Sequence, residues 1–175
     1  MKKTLILIFI TLFNISSAAN AEDLKIAVVD IQQVLQDSKA ANDIREKIKI
    51  KRDKYQDEIT KEEEKLREEE KKLASQSGVL AQDVFEQKRE EFKEKLIKVQ
   101  RDVQVKRANL DNTLSGSLAQ VQEVVFQIIE DLAKENGFEL AIPTSQILYA
   151  NKSLNITDEV LKRLDKKLPK VKTPE

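Results

Sequence analysis

Carboxylates and lysines are the only groups dense enough in this chain to do chemistry, and they come in runs. The clearest are Glu62-Glu63-Glu64, Glu68-Glu69-Glu70 and Lys106-Arg107. Neither histidine nor cysteine occurs. Their absence removes the commonest general base, the commonest metal ligand and any thiolate nucleophile or metal site. With only 3 glycines, no Gly-rich phosphate cradle is available. Carboxylate, lysine, hydroxyl or tyrosine chemistry is left, and a carboxylate enzyme needs a cleft. The runs instead sit on a helical pattern with no compact core around it, where such charge is solvation. The chain reads as a protein that reaches and holds rather than a catalyst, and no cofactor or metal is expected.

The pattern that carries these charges is a helical hairpin. Between residues 41 and 136 there is no proline, and the only glycines are Gly78 and Gly116. A first helix is expected over residues 41–74, with Ile44, Ile48, Tyr55, Ile59, Leu66 and Leu73 as its stripe; the later ones repeat at coiled-coil spacing. Glu62 and Glu69 occupy heptad positions that should be apolar, so the seam is thin. The pattern breaks at Ser75-Gln76-Ser77-Gly78, and a second helix is expected over 82–136 with Phe85, Phe92, Leu96, Val99, Val103 and Leu110 facing the first. Glu62, Glu69, Ser75 and Gly78 are candidate soft points of hinge and tip. Beyond a stutter at Leu110, Leu114 and Leu118, the stripe continues through Val121, Val125, Ile128 and Leu132, widened by Val124 and Ile129. Six acid-first i,i+4 pairs (Asp57/Lys61, Glu63/Arg67, Glu68/Lys72, Glu91/Lys95, Glu94/Lys98 and Asp102/Lys106) are placed to keep the helices soluble and straight.

The chain ends differ in kind. Lys2 and Lys3, an apolar run over 5–15 and the triplet Ala19-Asn20-Ala21 form an export signal with an A-x-A cleavage site, which puts the mature start at Glu22. The run is short for a spanning helix, so a product outside the cytoplasm, in a bacterial periplasm, is expected. Lys25-Ile26-Ala27-Val28-Val29-Asp30 reads as a strand, followed by a short helix through Ile31, Val34 and Leu35. Gly137 closes the long helix; Phe138-Glu139-Leu140-Ala141-Ile142 and Ile147-Leu148-Tyr149-Ala150 read as two more strands. A last helix starts at Thr157 or Asp158, and residues 170–175 read as a frayed tail. The expected division is residues 1–21 as signal, 22–40 with 111–175 as a body, and 41–110 as the arm. The fold class is α+β, mostly α, with the arm projecting from a small β-rich body. Three short strands make a marginal sheet, so copies are expected to pool Val28, Val125, Ile128, Leu132, Leu140, Ile142 and Leu148 at an oligomer interface.

These features together resemble the Skp/OmpH family of periplasmic chaperones. The resemblance rests on the signal peptide, Lys25-Ile-Ala-Val-Val-Asp30 leading into Val34-Leu35, the hairpin, and the closing segments Phe138-Glu-Leu-Ala-Ile142, Tyr149 with its neighbours, and Asn155-Ile-Thr-Asp-Glu-Val-Leu161. It covers essentially all of the mature chain. It implies a jellyfish-shaped homotrimer whose arms enclose unfolded outer-membrane proteins on their way to insertion, with no cofactor.

Charge departs from that pattern. The best-known members are strongly basic, whereas removing the two lysines of the signal leaves 29 basic and 31 acidic residues here, and residues 39–112 hold 20 basic against 18 acidic. Lys106-Arg107 is the one pair to consider for membrane or lipopolysaccharide contact, against the reading of a solvated helix face. A nucleic-acid binder is disfavoured by the neutral balance and by export. The other reading is a structural coiled-coil adaptor of the envelope, binding one folded partner. Asn151-Lys-Ser153 and Asn155-Ile-Thr157 match glycosylation sequons by chance.

Overall fold

The computed structural model describes residues 24–173; the expected cleavage site at Ala19, Ala21 and Glu22 lies outside them. The β-branched run forms β1 (Ile26–Val29), buried at Ala27, Val28 and Val29. Asp30 ends it and caps α1 (Ile31–Asp37), its carboxylate accepting the Gln33 amide at 2.9 Å. Ser38 separates α1 from α2 (Lys39–Gln76); its hydroxyl accepts the Ala41 amide at 3.1 Å and so starts the second helix. A turn centred on Gly78, with φ 92, reverses the chain into α3 (Gln82–Asn136). Gly137, with φ 71 and its amide on Ala133 O at 2.8 Å, terminates α3 in the left-handed conformation. Then follow β2 (Leu140–Pro143) and α4 (Thr157–Lys167).

Among the described residues the sheet has two strands, not three. β1 and β2 are parallel, in register from Ile26 opposite Leu140 to Val29 opposite Pro143. Parallel strands need a crossover, and here α1, α2 and α3 together supply it. Residues 147–150 do not pair, although their β-branched and aromatic character fits a strand. The other edge of β1 is already occupied: Val28 bridges Asn155, and the Ile156 amide donates to Val28 O at 2.9 Å. Two single 3₁₀ turns, Thr144–Gln146 and Lys152–Leu154, carry the chain past that edge instead.

The core gathers Val29, Val34, Ala40, Ile44, Val121, Val125, Ile128, Leu132, Val160 and Leu164 from β1 and all four helices. On α3 the buried row starts with Thr113 and Ser117, while Leu114 is exposed and Leu118 half-buried. The stutter thus resolves onto the polar row beside the leucine row, and Lys51 of α2 reaches Thr113 Oγ1 there at 3.0 Å. Ser117 Oγ is buried without a hydrogen-bond partner; nothing in the structure explains it. The tail is not frayed through its described part. Val171 is 2% exposed and belongs to the core.

Candidate functional site

Two surfaces could act: the arm and the outer side of the body. Cross-hairpin contacts fix the arm as an antiparallel pair: Lys51 with Thr113 at 3.0 Å, Glu58 with Lys106 at 2.9 Å, and Glu69 with Lys95 at 2.8 Å. As the number rises on α2 it falls by the same amount on α3. At about 1.5 Å per residue, the 38 residues of α2 span roughly 57 Å. Between residues 45 and 112 no side chain is fully buried. Tyr55, Ile59, Leu66 and Leu73 meet Phe85, Phe92, Val99 and Val103 only as half-buried partners, and Leu96 is exposed at 36%. A cleft of about 540 Å³ runs along this seam, apolar at Ile59, Leu66, Val99 and Val103 and rimmed by lysines and acids.

The charged heptad positions are not unpaired defects. Glu69 holds Lys95 across the hairpin, and Glu62 holds Lys65 at 2.7 Å along α2. Hydrogen bonding to Lys65 keeps the Glu62 carboxyl below its ordinary range and raises the lysine. Lys106, considered for lipid contact, is bonded inside the hairpin: it lies 5.1 Å from the Tyr55 ring centroid and hydrogen-bonds Glu58, whose carboxyl is lowered by that bond. None of the six acid-first i,i+4 pairs closes to ion-pair distance. Each would contribute only a few tenths of a kcal/mol, and two of the lysines pair across the hairpin instead, Lys95 with Glu69 and Lys106 with Glu58. At the tip, Ser75 remains helical and donates to Lys72 O at 2.7 Å, while the reversal itself is carried by Gly78.

Exposed apolar side chains are scattered over the arm at Ile50, Val79, Val84, Ile97 and Val105. They do not form one stripe.

On the body, the expected interface residues divide. Val28, Val125, Ile128 and Leu132 are 4, 1, 2 and 2% exposed within the single chain. Val125, Ile128 and Leu132 lie in the core shared with α1 and α4, and Val28 lies between Ile142 of β2 and Asn155, so none is available to a second copy without unpacking the body. Leu140 is 44% and Leu148 108% exposed, with Ile142 half-buried on the strand between β1 and solvent. The residues this reading missed are Phe126 and Tyr149, 64% and 87% exposed. Phe126 borders an apolar hollow of about 380 Å³ formed with Val29, Ile31, Leu35, Ile129 and Ala141. Its sequence signal was the apolar width of α3 around Val124 and Ile129, more than the core absorbs.

The sequons have a structural reason. Asn151 Oδ1 accepts the Ser153 amide at 3.0 Å, and Asn155 Oδ1 accepts the Thr157 amide at 2.8 Å. Thr157, the first residue of α4 as expected, accepts the Asp30 amide on its hydroxyl at 2.8 Å, tying α4 to the end of β1. Among the described residues no acidic cluster could hold a metal ion, and no helix is long and apolar enough to cross a membrane.

The comparisons agree with this architecture. A crystal structure of a candidate outer membrane chaperone (OmpH-like) from Caulobacter crescentus CB15 superposes with a TM-score of 0.80. It is 20% identical, with 87% of this chain and 90% of that chain covered. None of the curated proteins compared with the chain matches its sequence. The family model for outer membrane protein (OmpH-like) matches residues 25–164, which spans both strands, the whole hairpin and most of α4. The chain belongs to the OmpH-like family.

Proposed function

We propose that this protein is a periplasmic holdase: a homotrimer that encloses unfolded outer-membrane proteins between its arms and keeps them from aggregating before insertion. The observation that carries the reading is the arm. Some 68 residues, 45–112, form a long hairpin without one fully buried side chain, so the element serves something other than the core. An unfolded β-barrel protein exposes strand edges and apolar faces that aggregate. Dispersed apolar residues on a near-neutral, highly charged surface suit weak contact with many sequences, where a tight pocket would select one.

Self-association is supported by the apolar surface the body leaves exposed, and three as the number of copies follows the resemblance to the Skp/OmpH family. Leu140 of β2, Phe126 beside Ala141 and Pro143 of β2, and Leu148 and Tyr149 in the segment that follows are all exposed, and the two-stranded sheet is too small to be stable alone. Pooling these edges would cover the hollow under Phe126 and project one arm per copy. OmpH-like family membership supports a chaperone role on outer-membrane clients.

The test is light scattering from a urea-diluted outer-membrane barrel protein with and without residues 22–175, with the oligomer mass determined in the same sample. Suppressed scattering by a trimer that contains the client supports the reading. A stable oligomer that leaves the client to aggregate contradicts it and favours the envelope adaptor.

A further inference from the structure

We propose that residues 168–172 act as a detachable latch that fixes the root of the arm to the body. Pro169 cannot continue α4, and the chain turns from Leu168, whose amide still bonds Leu164 O at 2.8 Å, back across the two arm helices. The Val171 side chain enters the core at 2% exposure. Its peptide groups meet a receptor built from one turn of α2. Asp43 accepts the Val171 amide at 2.9 Å, Lys47 donates to the Val171 carbonyl, and the two side chains join each other at 2.8 Å. On the other helix, Gln120 of α3 donates to Lys172 O at 2.7 Å.

The location gives these contacts their consequence. Ile44 is the last buried residue of α2, and Thr113 and Ser117 are the first of α3. The segment therefore bridges both helices at the level where they leave the core. It is held by one buried side chain and a few hydrogen bonds, and nothing buried follows it among the described residues. Such a segment can open by itself, a low-cost local unfolding that leaves the rest of a domain in place. It lies beyond residues 25–164 that match the family model. The inference does not depend on what the arms hold.

Amide hydrogen exchange read by mass spectrometry tests it on two variants of the protein beginning at Glu22. One ends after Leu168; the other, Asp43→Ala with Lys47→Ala, keeps Val171 but removes its receptor. The expected result is exchange faster by about tenfold or more at 39–50 and 113–121 in both variants, with β1, β2 and α4 unchanged. Unchanged exchange at the root in both variants overturns the proposal. So does a uniform rise across the body, or a truncated chain that fails to fold, because a latch must release without taking the body with it.

Discussion

The same two helices obey different physics in the body and in the arm. Within the body, α3 buries Val121, Val125, Ile128 and Leu132 among side chains from β1, α1, α2 and α4. Tertiary packing stabilises it there, as it does most protein helices. Beyond Thr113 the helix has one neighbour, a half-buried seam and ion pairs in water. The arm keeps its shape through helix length, scarce glycine and cross-hairpin pairs such as Glu58–Lys106 and Glu69–Lys95. The difference teaches that the arm is a surface on both sides, while the body is a small core carrying more apolar surface than one chain can cover.

Substitutions should separate the two regions by magnitude. The largest effect belongs to the body: Ile128→Ala should cost about 2–5 kcal/mol through lost burial and a cavity. A urea unfolding midpoint that does not move would break the contrast. Next comes the αL end of α3, where Gly137→Ala forces a β-carbon into φ 71. A cost of about 1–2 kcal/mol is expected from that conformation, because the new methyl group would meet only Lys25 Nζ, at 3.7 Å. A stability gain in thermal denaturation would show that the helix can end differently.

Acid should then distinguish the latch from the core. Burial pushes the Asp43 carboxyl up, but the Lys47 hydrogen bond and the Val171 amide outweigh it and leave it below the ordinary 3.8. A lowered folded value means its stabilisation is complete above that ordinary value and disappears as pH falls through the folded one. Tail amides exchanging faster below about pH 4, once corrected for intrinsic rates, would agree with this order. A tail equally protected well below that would contradict it. The smallest effect lies in the arm. Glu69→Gln should change stability by about 0–1 kcal/mol, less at high salt, since the pair with Lys95 is half in water. A salt-independent loss larger than this would mean that the seam depends on that pair.

Periodicity made the long elements legible. Heptad spacing placed both arm helices to within a few residues, and Gly78 and Gly137 marked the turn and the helix end because φ is positive at both. What stayed hidden depends on contacts distant in sequence. Residues 147–150 have strand composition, but Asn155 and Ile156 take the free edge of β1, and the segment leaves the outer edge of β2 unpaired. Val125, Ile128 and Leu132 read equally well as an oligomer interface or as the protomer's own core, and α1 and α4 decide for the core. The tail is mostly lysine and proline around a single valine, so no pattern marked Val171 as buried. Its receptor on α2, Asp43 with Lys47, looks like one more i,i+4 pair.

The central claim is that the arms, and not the body, contact the client. The native chain lacks cysteine, so single cysteines carrying a photo-crosslinker can be placed cleanly at Ile50, Ile97 and Val105 on the arm and at Asp158 and Lys162 on α4. Mixed with an unfolded outer-membrane barrel protein and irradiated, the three arm positions should all crosslink, each to many client segments, while the α4 positions stay silent. Crosslinks confined to α4, or one arm position joined to one folded partner segment, would contradict the account.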